Sequence, residues 1–249
     1  MSYTEVETSD GIATIALARG KVNALNGAVV AELRSRLEEL EADPEVRAVV
    51  LTGRGRFFSF GFDIPEFLAF PKEEFTAYLG TFSGLYTYLF LYPKPVIAAL
   101  NGHAIAGGCM LALACDGRVM AAGKAKISLN EITFGSTIFA GSTEMLRFWV
   151  GSAAATKILF SGAMISAEEA RSLGLVEEFE PEESVVNRAR RFASDLGSRP
   201  ASAFASIKSL LRRPVVEEIR RREQESIREF VEIWYSPFTW ANLQKILIR

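Results

Sequence analysis

One carboxylate and one pair of glycines carry most of the chemistry this chain offers. Glu131 lies in "ISLNEITFG" (127–135), flanked by Ile127, Leu129, Ile132 and Phe134. A carboxylic acid held among apolar side chains ionises less readily, so its pKa rises toward the pH at which a general base or acid is useful. Gly107 and Gly108 open the apolar run "AGGCMLALACDG" (106–117). Glycine costs about 1 kcal/mol relative to alanine inside a helix, so bare backbone there needs a reason. A helix start leaves N–H groups without acceptors and carries partial positive charge. Such a place receives a phosphate, or a negative charge that develops during a reaction. One turn further on stands Met110, a thioether that cannot take up a proton. Two more segments belong with these: the polar turn "GKVNALN" (20–26), and "GRGRFFSFGFDI" (53–64), a loop with Gly53, Gly55 and Gly61.

Such groups must be positioned by a frame, and the hydrophobic pattern supplies one. Runs at 11–17, 46–53, 95–102, 117–122 and 174–181 read as strands. Helical spacing fills the intervals at 27–43, 72–91, 107–115, 143–160, 166–173 and 183–196. This alternation predicts an α/β core with crossover connections, whose ligands bind in the loops after the strands. Beyond Glu180 the pattern becomes helical, with Gly197, Pro200 and Pro214 as breaks that separate successive helices. Val216, Ile219, Ile227 and Val231 form the apolar stripe of a mixed-charge helix, and the residues around "FVEIWYSPFTW" offer an oligomer contact.

Composition narrows the partners. The 249 residues are 49% hydrophobic and 23% charged, with a formal net charge of -2. That balance gives no attraction toward nucleic acid or an acidic membrane surface, and no apolar run is long enough to span a bilayer. The N-terminal stretch lacks the pattern of a secretory or transit leader, which predicts a cytoplasmic protein. Cys109 and Cys115 are expected as reduced core residues, and no metal-binding set is apparent. Neither GxxxxGK[ST] nor GxGxxG occurs, which disfavours a nucleotide site of those kinds.

The segments "VNALN", "VRAVVLTGRGRFFSFGFDI", "KPVIAALNGHAIAGGCMLALACDGRV", "ISLNEITFG" and "AEEARSLGLVEEFEP" together resemble the crotonase, or enoyl-CoA hydratase/isomerase, superfamily across roughly residues 10 to 185. The resemblance implies a spiral of ββα turns over residues 1–195, and a C-terminal helical trimerisation region over 196–249. It also implies acyl-CoA thioester substrates, assembly as homotrimers or dimers of trimers, and no cofactor beyond the coenzyme A that carries the substrate. The amides of Phe62 and Gly107 match the family's oxyanion hole. The backbone of Val22, Asn23 and Ala24 and of Ser59, Phe60 and Gly61 is expected to bind coenzyme A. Asp63 is expected to brace the loop, and Ile64, Met110 and Phe139 to lie near the acyl group. Basic Lys21, Arg54, Arg56 and Lys208 are candidates for the phosphates.

A hydratase of this family holds water between two glutamates. Here their positions carry Met110 and Glu131. Moving a double bond from C3=C4 to C2=C3 needs only one base, which takes a proton from C2 and returns it to C4. "AGGCMLALACD" followed by "SLNE" and "FG" is similar to the mitochondrial-type Δ3,Δ2-enoyl-CoA isomerases, and Glu131 is then the sole general acid/base. Ser136 and Thr137 stand where hydratases carry a proline- and glycine-rich turn. The aspartate nucleophile of aryl-CoA dehalogenases falls at Phe139, which cannot replace it. His103, the single histidine, reads as structural, and Glu144 as a secondary acid or a helix-end carboxylate. The alternatives are a 2-enoyl-CoA hydratase and a non-catalytic acyl-CoA-binding homologue.

Overall fold

The computed structural model describes residues 2–246. In chain order its elements are β1 (Thr4–Ser9), β2 (Ile12–Leu17), α1 (Gly27–Ala42), β3 (Ala48–Gly53), β4 (Phe57–Ser59), α2 (Ile64–Phe67) and α3 (Lys72–Leu91). Then come β5 (Val96–Leu100), β6 (His103–Ile105), α4 (Gly107–Ala114), β7 (Gly117–Ala121), β8 (Ile127–Ser128), a 3-10 turn (Glu131–Phe134), α5 (Ala140–Ser161) and α6 (Ala167–Ser172). β9 (Glu178–Glu180), a second 3-10 turn (Glu182–Ser184), α7 (Val185–Gly197), α8 (Ala201–Trp234) and α9 (Pro237–Leu243) follow.

Six strands form one sheet in the order β1-β2-β3-β5-β7-β9, parallel except for the β1–β2 hairpin. β1 was not expected from the sequence. It turns back through Asp10 and Gly11, both at positive φ (55° and 75°), the backbone that a two-residue hairpin requires. Strands β3 and β5 are buried on both faces, hence their unbroken "AVVLTG" and "VIAAL". A second sheet, β4-β6-β8, stacks three short parallel strands that follow β3, β5 and β7 in sequence. The expected loop at 53–64 and the link at 103–106, between the expected strand and helix, thus contain short strands, and their ends carry the residues of interest.

Helix α3 occupies residues 72–91 as its spacing predicted. Phe75, Tyr78, Leu79, Phe82, Tyr86 and Leu89 recur at helical intervals and are buried. Pro214 does not end a helix: α8 runs through it. The proline is exposed, and Arg212 and Val216 on either side are buried, so tertiary packing along α3 and α5 outweighs one lost backbone bond. The division expected after residue 195 falls in the last turn of α7, and α8 lies directly against the core helices. Phe230, Val231 and Trp234, offered as an oligomer contact, are buried within the chain, whereas Phe238 is exposed. Among the described residues no helix is long and apolar enough to cross a membrane.

Candidate active site

Two loops are laced together at the carboxyl ends of β2 and β4. The Asn23 side chain donates to the carbonyls of Arg54 (3.0 Å) and Phe57 (2.8 Å). Ser59 Oγ donates to Asn23 O (2.7 Å), Phe60 N to Val22 O (3.0 Å), Leu25 N to Gly61 O (2.8 Å) and Asp63 N to Leu25 O (2.9 Å). Asn23 adopts φ 52°, which asparagine tolerates better than most residues. The N–H groups of Phe60 and Gly61, expected to bind coenzyme A, are therefore engaged inside the chain, the second with Ser59 Oγ at 3.2 Å. The carbonyls of Val22 and Ala24 keep a second lone pair beside their internal donors, Phe60 N and Arg19 Nη1.

Within this lacing the Phe62 N–H has no acceptor among the described residues, nor has the N–H of Gly107 at the start of α4. The two are adjacent. A Cβ built on Gly61, which sits at φ 90°, would lie 3.0 Å from Gly107 N and 2.8 Å from Ile105 O. Ala106, between them, takes φ 49° and ψ -117°, a region that L-residues rarely enter. Strain of this kind persists where the surrounding structure imposes it, often at functional sites. The Phe62 ring anchors its own amide, packing edge-on against Phe67, Tyr78 and Phe82 at 5.0–5.8 Å.

The glycine pair divides into two requirements. A Cβ on Gly107 would meet the Phe62 ring at 3.0 Å, whereas one on Gly108 would lie 2.4 Å from Ser59 O. Gly108 therefore lets α4 lie on the backbone of β4. Gly108→Ala should push α4 away and destabilise the fold by about 1–3 kcal/mol, read as an earlier urea midpoint. An unchanged midpoint would mean that the helix has room to spare.

Phe62, and Ala106 immediately before Gly107, border an apolar cavity of about 240 Å³, walled further by Phe60, Ile64, Ile105, Met110, Phe134, Phe230, Trp234 and Ile246. Its polar lining side chains are Asn130 and Glu131. Glu131 is 4% exposed, one carboxyl oxygen has no hydrogen-bond partner among the described residues, and burial pushes its pKa up to about 8. Met110 is 1% exposed and faces the same space. Of the apolar neighbours expected, Phe134 lines the cavity and Ile127 and Leu129 are buried, but Ile132 is 50% exposed; Phe62, Met110 and the α8 rings complete the enclosure.

Several expected participants lie elsewhere. Phe139 does not line the cavity; its ring is buried in the core between Tyr86 and Phe230. Asp63 does not line the cavity but braces the loop as expected, pairing with Arg19 (2.6 Å) and capping α2 by accepting from Glu66 N. Glu144 pairs with Arg147 and Arg222 at the protein surface side of α5. His103, read as structural, packs tilted against Phe57 (ring centroids 5.1 Å apart) in a separate cleft, where burial and Lys126 lower its pKa. Lys208 cannot reach a phosphate. It is 5% exposed, with Nζ 2.7 Å from Asp116, which also holds Arg212 at 3.1 Å. Arg54 pairs with Glu5 (2.8 Å), while Lys21 and Arg56 are exposed.

Sequence reasoning missed the C-terminal wall of Phe230, Trp234 and Ile246. Phe230 and Trp234 are spaced as i and i+4, a signal indistinguishable from ordinary core.

Two parallel stacks of short ββα units, with adjacent free amides opening on a buried carboxyl, define a crotonase-fold protein. The chain belongs to the enoyl-CoA hydratase/isomerase family, whose sequence profile it matches over residues 7–245. It is 36% identical over 213 residues to a probable enoyl-CoA hydratase of Bacillus subtilis (strain 168), covering 85% of this chain and 82% of that one. Against the 2,3-dehydroadipyl-CoA hydratase of Escherichia coli (strain K12), identity is 37% over 191 residues, 76% of this chain and 73% of the other. Human mitochondrial Δ3-Δ2-enoyl-CoA isomerase superposes with a TM-score of 0.92 at 27% identity, covering 98% and 96% of the two chains.

Proposed function

We propose that this chain moves the double bond of a 3-enoyl-CoA to the 2-position. The amides of Phe62 and Gly107 receive the thioester oxygen, and Glu131 transfers the proton. The observation that carries this reading is the pairing of Glu131 with Met110: one carboxylate faces the cavity, and the second position is an inert thioether. Removing the C2 proton leaves a dienolate whose charge gathers on the thioester oxygen, opposite two donors already oriented toward it. The same carboxylic acid then delivers its proton to C4, so the group returns to its starting state without water. Coenzyme A carries the substrate, and no further cofactor takes part.

A hydratase reading draws support from the names of the Bacillus and Escherichia relatives. It requires Glu131 to activate water without a second carboxylate. Purified protein offered 3-hexenoyl-CoA and crotonyl-CoA in parallel separates the two by mass spectrometry. Isomerisation should exceed hydration by orders of magnitude; the opposite ratio would sink the proposal. A protein that binds both thioesters and converts neither would be a binding homologue. The chain is further proposed to assemble as a homotrimer or a dimer of trimers, for which light scattering after gel filtration gives the mass.

The rate should depend on pH through Glu131. The base must be ionised, and burial holds its pKa near 8. Accordingly kcat/KM should climb about tenfold per pH unit below that value and level off above it. A profile flat from pH 6 to 9 would exclude this carboxyl as the base.

A further inference from the structure

Among the described residues no neighbouring side chain hydrogen-bonds the carboxyl of Glu131. One oxygen is orphaned, and the hydrogen bond that bears on its ionisation comes from the residue's own backbone. Its position therefore follows from the backbone of the 3-10 turn Glu131–Phe134, which Gly135 closes at φ 87°. The far end of that turn is gripped by α9. Thr239 Oγ1 donates to Gly135 O (2.6 Å), and Asn242 Nδ2 donates to Phe134 O (3.3 Å). Ser236 Oγ in turn donates to Thr239 Oγ1 (3.1 Å). Gly135 is bare where α9 bears on it: a Cβ there would lie 2.6 Å from the Phe238 ring and 3.2 Å from Thr239 Oγ1. Thr239 is 1% exposed and Leu243 is fully buried, so the helix is seated rather than loosely apposed.

We infer that Thr239 is a positioning residue for the reaction, its hydroxyl fixing the Gly135 carbonyl and thereby the turn that presents Glu131 to C2 of the thioester. The inference rests on Glu131 being the base. Carbonyls at the end of a short helix must find donors, and here both come from α9. Releasing the Gly135 carbonyl lets the turn re-form around another donor, and small displacements of a catalytic group carry large rate penalties.

The test compares Thr239→Val, which removes the hydroxyl and keeps the shape, with Thr239→Ser and Glu131→Gln. The readouts are steady-state isomerisation of 3-hexenoyl-CoA, exchange of the C2 protons of butanoyl-CoA in deuterated water, and thermal melting. Thr239→Val should lower kcat and exchange about tenfold with KM within about twofold, and Thr239→Ser should restore both to near wild type. If Thr239→Val keeps full kcat while Glu131→Gln is inactive, the positioning role is wrong and the base stands. Wild-type exchange by Glu131→Gln overturns both. If Thr239→Ser is as impaired as Thr239→Val, the hydroxyl is not the cause and the inference fails. Should Thr239→Val not fold, Asn242→Ala releases the neighbouring carbonyl and should lower kcat several-fold; an unaltered kcat there rejects the proposal.

Discussion

Glu131→Gln should reduce the proposed isomerisation by about 10³-fold or more, because no other carboxylate among the described residues lines the cavity. Glutamine has nearly the same shape, so binding of a saturated acyl-CoA should persist. The same substitution should change how stability responds to pH. In the folded chain the carboxyl holds its proton up to about 8, against an ordinary value of 4.5. Between those values the folded state binds more protons than the unfolded state, and stability falls as pH rises through the window. Glutamine carries no such proton. The variant should melt like wild type near pH 5 and above it at pH 9, by an amount equivalent to a few kcal/mol. Parallel melting curves across that range would show that the carboxyl is not desolvated.

Gly61→Ala should be the second large loss, of about 10²- to 10³-fold in kcat, the size associated with an oxyanion donor. Two effects combine. Gly61 sits at φ 90°, a conformation that alanine resists, and the added methyl would be 2.8 Å from Ile105 O and 3.0 Å from Gly107 N. The strand ends must separate, taking the Phe62 and Gly107 amides out of convergence. Because Glu131 is untouched, the pH at which kcat/KM levels off should stay near the wild-type value while its plateau drops. A variant with wild-type kcat would mean that the two amides do not act together.

The chain's legibility followed the length of each signal. Helix α3 was readable to its ends because aromatic and leucine spacing repeats through its 20 residues, between five and six turns. β4, β6 and β8 have three, three and two residues, too few for alternation to register, and so read as loop. β1 was missed although Asp10–Gly11 between alternating residues is a hairpin signal. Pro214 misled because a local rule was applied to a helix held by its neighbours. Glu131, Phe62 and Gly107 came into view through motif resemblance together with the chemistry of bare amides and an enclosed carboxyl. Phe139 and Lys208 were misplaced for one reason: sequence gives a side chain's type but not its direction, and each points into the core. The far wall of the cavity, contributed about 100 residues after Glu131 by Phe230, Trp234 and Ile246, has no local signature at all.

That late contribution imposes an order in time. A ribosome releases the strands, the paired amides and Glu131 well before it releases α8, and until α8 arrives one side of the cavity stands open. During that interval water reaches the carboxyl, which has no reason to hold its proton above the usual carboxylate range. The burial that raises the pKa of the Glu131 carboxyl is thus completed by the last helices, and a chain ending before α8 should titrate there in the ordinary carboxylate range.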